Sequence, residues 1–223
     1  MIIAERKPFD EIKKMVSSHK KVLLVGCGTC VTVCMAGGEK ETKILALSLK
    51  MAMNLEGKQI EFSESTIIRQ CEWEFVDELT DKIKDIDAIL SLGCGIGVSV
   101  IAERFPQIPV YPALNTSFLG FPEKQGLWVE RCGACGNCIL HLTGGICPVV
   151  RCSKGLFNGP CGGSSQGKCE ISKDILCAWQ IIYDRLKELN KLELLDEIIP
   201  PKDWSTERSG GLRRIIREDV YME

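Results

Sequence analysis

KVLLVGCGTC, residues 21–30, sets the architecture of the first half of this chain. Val22 to Val25 is a continuous apolar run that ends in glycine, the pattern of a strand buried on both faces of a parallel sheet. DAILSLGCG (87–95) repeats that form, an apolar run closed by Gly-Cys-Gly. Between the two, ETKILALSLKMAMNLEGK (41–58) starts acidic, carries apolar residues at i, i+3 and i+4, and stops at Gly57, which predicts a crossover helix. QIEFSE (59–64) predicts a second strand with the looser STIIRQC behind it, and WEFVDELTDKIKDI (73–86) predicts a helix. A helix around Ser99–Phe105, a strand at Ile108–Leu114 and a short leading helix in PFDEIKKMVSS (8–18) complete the set. This alternation predicts a small doubly wound α/β domain with right-handed crossovers over residues 1–130. Its last stretch, 115–130, reads as a Gly/Pro-broken connection anchored by Phe118, Phe121 and Trp128.

Outward from there the composition changes. RCGACGNCILHLTGGICPVVRCSKGLFNGPCGGSSQGKCEISKDILC (131–177) holds eight of the thirteen cysteines, is dense in glycine, and has few apolar runs. Such a segment cannot bury enough hydrocarbon to offset the entropy of ordering it, so disulfides, zinc or iron–sulfur clusters must staple it. SKDILCAWQIIYDRLKELNKL (172–192) closes it as a helix, with Ser172 as N-cap and Ile175, Trp179, Ile182 and Leu186 on one stripe. Residues 131–199 therefore form a metal-stapled domain. The tail, 200–223, has two prolines near its start, Trp204, Gly210-Gly211 and the basic residues Arg213, Arg214 and Arg217. It is too poor in apolar residues to pack alone and is either mobile or laid against a partner. Lys202-Asp203-Trp204 reads as a packing or docking element and the arginines as a solvated face.

A net charge of −2 argues against nucleic acid as a partner. The N-terminus lacks the order of a signal peptide, and no run of 18 or more apolar residues offers a membrane span. A cytoplasmic protein is expected, and there clustered cysteines read as metal ligands before disulfides. No HExxH, Walker loop or G-x-S-x-G is present. With His19 and His141 the only histidines, imidazole acid–base chemistry is not expected. His141 is available to a zinc site, but a lone histidine beside a leucine reads as packed or exposed. Asp85 and Asp87 are spaced for a turn, and no flavin site is legible.

The cysteines fall into two groups. Cys27, Cys30 and Cys34 form C-x2-C-x3-C after the first strand, Cys94 follows another strand, and Cys71 lies in a loop before a helix. In a doubly wound sheet the carboxyl-end loops meet at one edge, so these thiols should converge there. Cys27, Cys30 and Cys94, with Cys34 or Cys71 as fourth, are the expected ligands. A Gly-rich phosphate cradle is the weaker alternative, since neither stretch is a full G-x-G-x-x-G. In the second group Cys132, Cys135 and Cys138 form C-x2-C-x2-C, a ferredoxin-like spacing whose fourth ligand comes from elsewhere and precedes proline, as Cys147-Pro148 does. With Cys152, Cys161, Cys169 and Cys177, eight thiols make two four-ligand sites; one possible set is Cys132, Cys135 and Cys138 with Cys147 or Cys177, and spacing leaves the partition open. Zinc is the structural alternative for either site.

The run CGACGNCILHLTGGICPVVRCSKGLFNGPCGG, followed by GKCE and Cys177-Ala178-Trp179, resembles the cysteine-rich domain of the small (MetV-type) subunit of bacterial methylenetetrahydrofolate reductase. VGCGTCVTVCMAGGEKE and SLGCGIGVSV resemble the first domain of that subunit, so the likeness spans Lys21 to Trp204. The resemblance implies a non-catalytic electron-transfer subunit of one-carbon metabolism (the Wood–Ljungdahl pathway), partnered by a flavin-bearing TIM-barrel subunit and an external electron donor protein. It also implies two or three [4Fe–4S] clusters, with zinc as an option, no flavin in this chain, and all thirteen cysteines as ligand candidates. A zinc-stabilised scaffold and a self-sufficient enzyme using the α/β crevice are the rival readings.

Overall fold

The computed structural model describes residues 1–207, 212–217, 219 and 220. The chain divides into two compact units, Met1–Val129 and Glu130–Glu223.

The first unit is α/β. In chain order it contains β1 (Ile2–Arg6), α1 (Phe9–Val16), β2 (Lys21–Cys27), α2 (Cys30–Val33), α3 (Glu39–Leu55), β3 (Glu61–Ile67), α4 (Trp73–Asp77), β4 (Ala88–Ser91), α5 (Gly95–Arg104), β5 (Val110–Pro112) and β6 (Leu114–Lys124). A further strand, β7 (Leu127–Cys132), runs across the division of the chain. Strands β3-β2-β4-β5 form one sheet, parallel throughout. Alternate residues of β2 feed opposite faces. Val22 and Leu24 pack with Leu90 under Ile12 and Val16 of α1 and Leu45, Leu49 and Met53 of α3. Leu23 and Val25 pack with Ile89 under Val76 of α4 and Ile101 of α5. The doubly wound reading of 21–30 and 87–95 is what the sheet shows.

Two readings of the first half change, and one strand is added. WEFVDELTDKIKDI is helical only over Trp73–Asp77. Beyond it Leu79, Thr80 and Lys82 donate three residues back, to Val76, Asp77 and Leu79, as turns do. The Asp77 carboxylate is taken by Arg104, at 2.6 and 3.0 Å. Leu79 and Ile83 still bury on the sheet, so the apolar spacing marked the burial but not the helix. The added strand is IIAER at the N-terminus, antiparallel to β6. Second, the supposed connection at 115–130 is strand: β6 lies between β1 and β7 in a second sheet. Gln125-Gly126 makes the turn, with Gly126 at φ +83° as a tight hairpin requires. Pro122 is tolerated because pairing with β1 runs only over Leu114–Leu119, so its missing N–H costs no bond there. Of the three aromatic anchors, Phe118 and Trp128 pack on Ile3, Ala4 and Leu114, whereas Phe121 is exposed.

The second unit contains α6 (Pro148–Arg151), the hairpin β8 (Lys168–Cys169) and β9 (Ser172–Leu176), and α7 (Ala178–Glu188), followed by 3-10 turns at Leu192–Leu195 and Trp204–Thr206. Trp179, Ile182 and Leu186 of α7 are buried against Ile146, Leu156, Leu192, Leu194 and Leu195. This core is small, as the composition dictates. The closing helix begins later than its apolar spacing implies. Ser172 pairs with Cys169 in the hairpin rather than capping the helix, and Cys177 takes the cap position. Ile175 consequently sits exposed in β9 instead of on the buried stripe.

Candidate metal centres

At the sheet edge, strand order reverses direction between β2 and β4: β3 follows β2 on one side, and β4 and β5 lie on the other. The loops after those two strands carry Cys27 and Cys94. Cys27 closes β2, with its N–H donated to the Gly37 carbonyl at 3.0 Å and its own carbonyl accepting the Thr32 hydroxyl at 2.7 Å. Cys94 caps α5, and the next N–H, of Gly95, donates to the Thr116 hydroxyl at 2.8 Å.

Two buried polar residues that sequence reasoning missed hold this edge. Gln70 donates through Nε2 to the Val25 carbonyl at 2.8 Å and accepts through Oε1 from the Ser91 hydroxyl at 2.6 Å. The Ser91 hydroxyl in turn accepts the Gly93 N–H at 3.1 Å. A Cβ on Gly93 or Gly97 would lie 2.2 or 2.7 Å from the Gln70 side chain, so only glycine lets the chain close around it. Gln70 therefore pins the loop bearing Cys71 to the ends of β2 and β4. No motif announced this; a lone glutamine before a cysteine is silent in sequence.

The pin brings Cys71 beside Cys94 and Cys27: burial and those two neighbouring thiolates push its thiol up. Cys34 goes elsewhere. Its sulfur lies 3.6 Å from the Ile2 carbonyl of β1, in the apolar cluster of Ile3, Ala4, Val31 and Ala36, and burial pushes its thiol up. Of the two candidates for a fourth position at the edge, Cys71 neighbours Cys94 and Cys27, whereas Cys34 neighbours Cys30 and faces β1.

In the second unit, Cys152 at the end of α6, Cys161, Cys169 on β8 and Cys177 at the start of α7 line one small cavity, together with Trp179, Leu176, Lys154 and Glu170. Lys154 and Glu170 form an ion pair at its rim. The Trp179 indole N–H is anchored on the Leu156 carbonyl at 3.0 Å. The backbone N–H of Ile171 and the Ser153 hydroxyl hold the Cys169 thiol below its ordinary value, against the opposing effect of burial.

Cys132, Cys135 and Cys138 lie on a separate loop. The Ala134 N–H donates to the Cys132 sulfur at 3.4 Å. Cys147 precedes α6, and Val150 of that helix is the neighbour a Cβ on Gly133 would touch, at 3.5 Å. The tail reaches this loop. Thr206 donates its hydroxyl to the Cys135 carbonyl at 2.8 Å, and Arg213 donates to the Ala134 and Thr206 carbonyls at 3.0 and 2.9 Å. Gly136, at φ +79°, allows that approach, since a Cβ there would sit 2.5 Å from the Thr206 carbonyl oxygen. Trp204 stacks edge-on against Phe157 at 6.3 Å. Arg213, Arg214 and Arg217 are all exposed, as a solvated face requires, and Arg213 in addition contacts the chain's own cysteine loop. Gly210 and Gly211 lie outside the described residues.

All thirteen cysteines are free thiols. Among the described residues no three His, Cys, Asp or Glu side chains are drawn into a ready-made metal-ligating group. The donor chemistry nonetheless fits a thiophilic metal: sulfur predominates in every grouping, and backbone N–H groups already aim at Cys132 and Cys169. His141 is exposed, and His19 bonds Tyr111 at 3.0 Å. Neither belongs to a thiol group.

Residues 111–205 match the family described as "Methylene-tetrahydrofolate reductase C terminal". That match relates the chain to methylenetetrahydrofolate reductase; it takes in Cys132 to Cys177 and leaves residues 1–110 outside. No curated protein matches the chain. Among solved structures, an extracellular ligand-binding receptor from Verminephrobacter eiseniae ef01-2 superposes with a TM-score of 0.36 at 13% identity, over 48% of this chain. The superposition spans 30% of that receptor's length and is too slight to carry an argument. No helix among the described residues is long and apolar enough to cross a membrane.

Proposed function

We propose that this chain is the metal-bearing, electron-transferring subunit of a methylenetetrahydrofolate reductase, working in the cytoplasm beside a separate flavin-containing catalytic subunit. One observation carries the reading: the family match takes in the whole cysteine-rich segment, whose apolar cluster is small. The absence of an acid–base constellation from the sequence is consistent with a subunit that hands electrons to a partner rather than transforming substrate. Iron–sulfur centres would supply one-electron transfer. This chain's residues supply the rest: thiolates as ligands, N–H donors that stabilise negative charge on sulfur, and glycines that let backbone approach closely. The donor feeding it would be a ferredoxin, a nicotinamide-linked flavoprotein or a larger complex.

Anaerobic purification followed by iron, zinc and acid-labile sulfide analysis tests this. Several irons with matching sulfide, and reduction of a flavin subunit by the pre-reduced chain, are expected; near-zero sulfide ends the electron-transfer reading. The zinc-scaffold reading has one observation in its favour. The cavity beside Cys152, Cys161, Cys169 and Cys177 measures about 20 Å³, room for a single ion rather than a cluster without rearrangement. A colourless preparation with stoichiometric zinc at every centre would establish that reading instead.

A further inference from the structure

The eight cysteines of the second unit can be divided into two sites in many ways, and their spacing does not choose. The geometry points to one division: Cys152, Cys161, Cys169 and Cys177 constitute a single tetrathiolate centre for a thiophilic ion or cluster, independent of Cys132, Cys135, Cys138 and Cys147. The inference rests on the metal-bearing reading above and goes beyond it by assigning ligands.

Four different elements present these sulfurs to one cavity: the end of α6, the loop after Pro160, the β8 strand and the start of α7. None of Cys132, Cys135, Cys138 or Cys147 lines it. Backbone bonds order two of these elements: one joins α7 to the hairpin and one closes α6 on itself. The Cys177 N–H donates to the Gly167 carbonyl at 2.8 Å, tying α7 to the hairpin, and the Cys152 N–H donates to Pro148 at 3.0 Å. Trp179 closes the cavity, held by its bond to Leu156. The four cysteines thus already share one cavity, and a bound centre would tie together the elements that carry them. Cys177 is buried and Cys152 packs with the core of the unit, which places two of the four thiols at the inner side of the cavity. The remaining four thiols sit on the 132–138 loop and at the head of α6, neighbours through Gly133 and Val150. Thr206 and Arg213 hold that loop from the other side.

The test uses the full chain, purified anaerobically, with Cys161→Ser, Cys169→Ser, their double variant, and Cys135→Ser. Iron, zinc and sulfide per chain are counted, and absorption and electron paramagnetic resonance spectra show which complement each variant loses. Cys161→Ser and Cys169→Ser should each lose the same one complement, the double variant no more than either. Cys135→Ser should lose a different one, and Cys135→Ser combined with Cys161→Ser should lose both. Zinc loss or iron-with-sulfide loss in the first pair identifies the occupant. The division is overturned if Cys161→Ser loses nothing, or if it and Cys135→Ser remove the same complement. A wild-type chain free of metal overturns the reading beneath it as well, a result distinct from either. Should a variant fail to fold, stepwise chelation of the wild type with alkylation mapping answers the same question. Cys152, Cys161, Cys169 and Cys177 should become reactive as one block, and exposure in mixed order overturns the division.

Discussion

At the residue scale the decisive contacts are buried polar ones that no motif marks. Gln70 and Ser91 are essentially inaccessible, and each satisfies the other while holding backbone groups at the ends of two strands. Truncating either orphans the rest. Ser91→Ala or Gln70→Leu should lower stability by about 1–3 kcal/mol, read from urea unfolding. The Gln70 change should also loosen Cys71, seen as faster alkylation of that thiol. Cys34→Ser and Cys71→Ser separate the two candidates for the sheet-edge site. Metal content should fall with Cys71→Ser and stay unchanged with Cys34→Ser, because Cys34 faces β1. Asp87 gives a pH signature. Its carboxylate accepts the N–H groups of Lys20 and Lys21, which holds it below the usual carboxylate range. Its stabilising contribution is present above the unfolded value of about 3.9 and is lost as the pH falls through the lower folded value. Asp87→Asn should flatten the acid limb of a stability-against-pH curve; an unchanged limb would contradict this.

At the scale of elements, what could be read in the sequence depended on whether burial and backbone conformation carry the same signal. In β2 and β4 they do: a strand buried on both faces has to be an unbroken apolar run, and both were legible. In the stretch after Asp77 they part, since Leu79 and Ile83 bury with helical spacing on a backbone made of turns. The same separation misplaced the start of α7, because Ile175 continues the helical stripe in sequence while its backbone pairs in a hairpin. β6 and β7 were obscured by Gly120 and Pro122: Pro122 lies beyond the pairing with β1, whereas Gly120 is still bonded to Met1 and leaves the room that the Val129 carbonyl needs. The thiol groupings followed the same logic. That the loops bearing Cys27 and Cys94 follow neighbouring strands was legible from topology, whereas the gathering of Cys152, Cys161, Cys169 and Cys177 around one cavity needs the fold of a segment with no periodicity to read. Within α7 the packing is legible and quantitative. Ile182→Ala, fully buried on the helix stripe, should cost about 2–5 kcal/mol by denaturant unfolding.

For the whole molecule, the two units differ in what holds them. The first has two apolar layers on either side of a parallel sheet. The second has one small cluster on α7, with cysteines at either end of α6, at the end of β8, at the start of α7 and in the loops before them. Stripping metal should therefore act unevenly. Limited proteolysis after chelation is expected to cut within 130–223 while a fragment near 1–129 persists, whereas the loaded chain resists throughout. Equal sensitivity of both parts would mean that thiol-bound metal does not support the second unit.

Trp179 forms part of the cavity wall beside Cys152, Cys161, Cys169 and Cys177, and its indole is fixed in place. The protein thus carries its own optical gauge. In a chain whose other indoles, Trp73, Trp128 and Trp204, are changed to phenylalanine, the remaining emission should dim as iron and sulfide load and recover as they leave. Occupancy could then be followed in real time without an added dye.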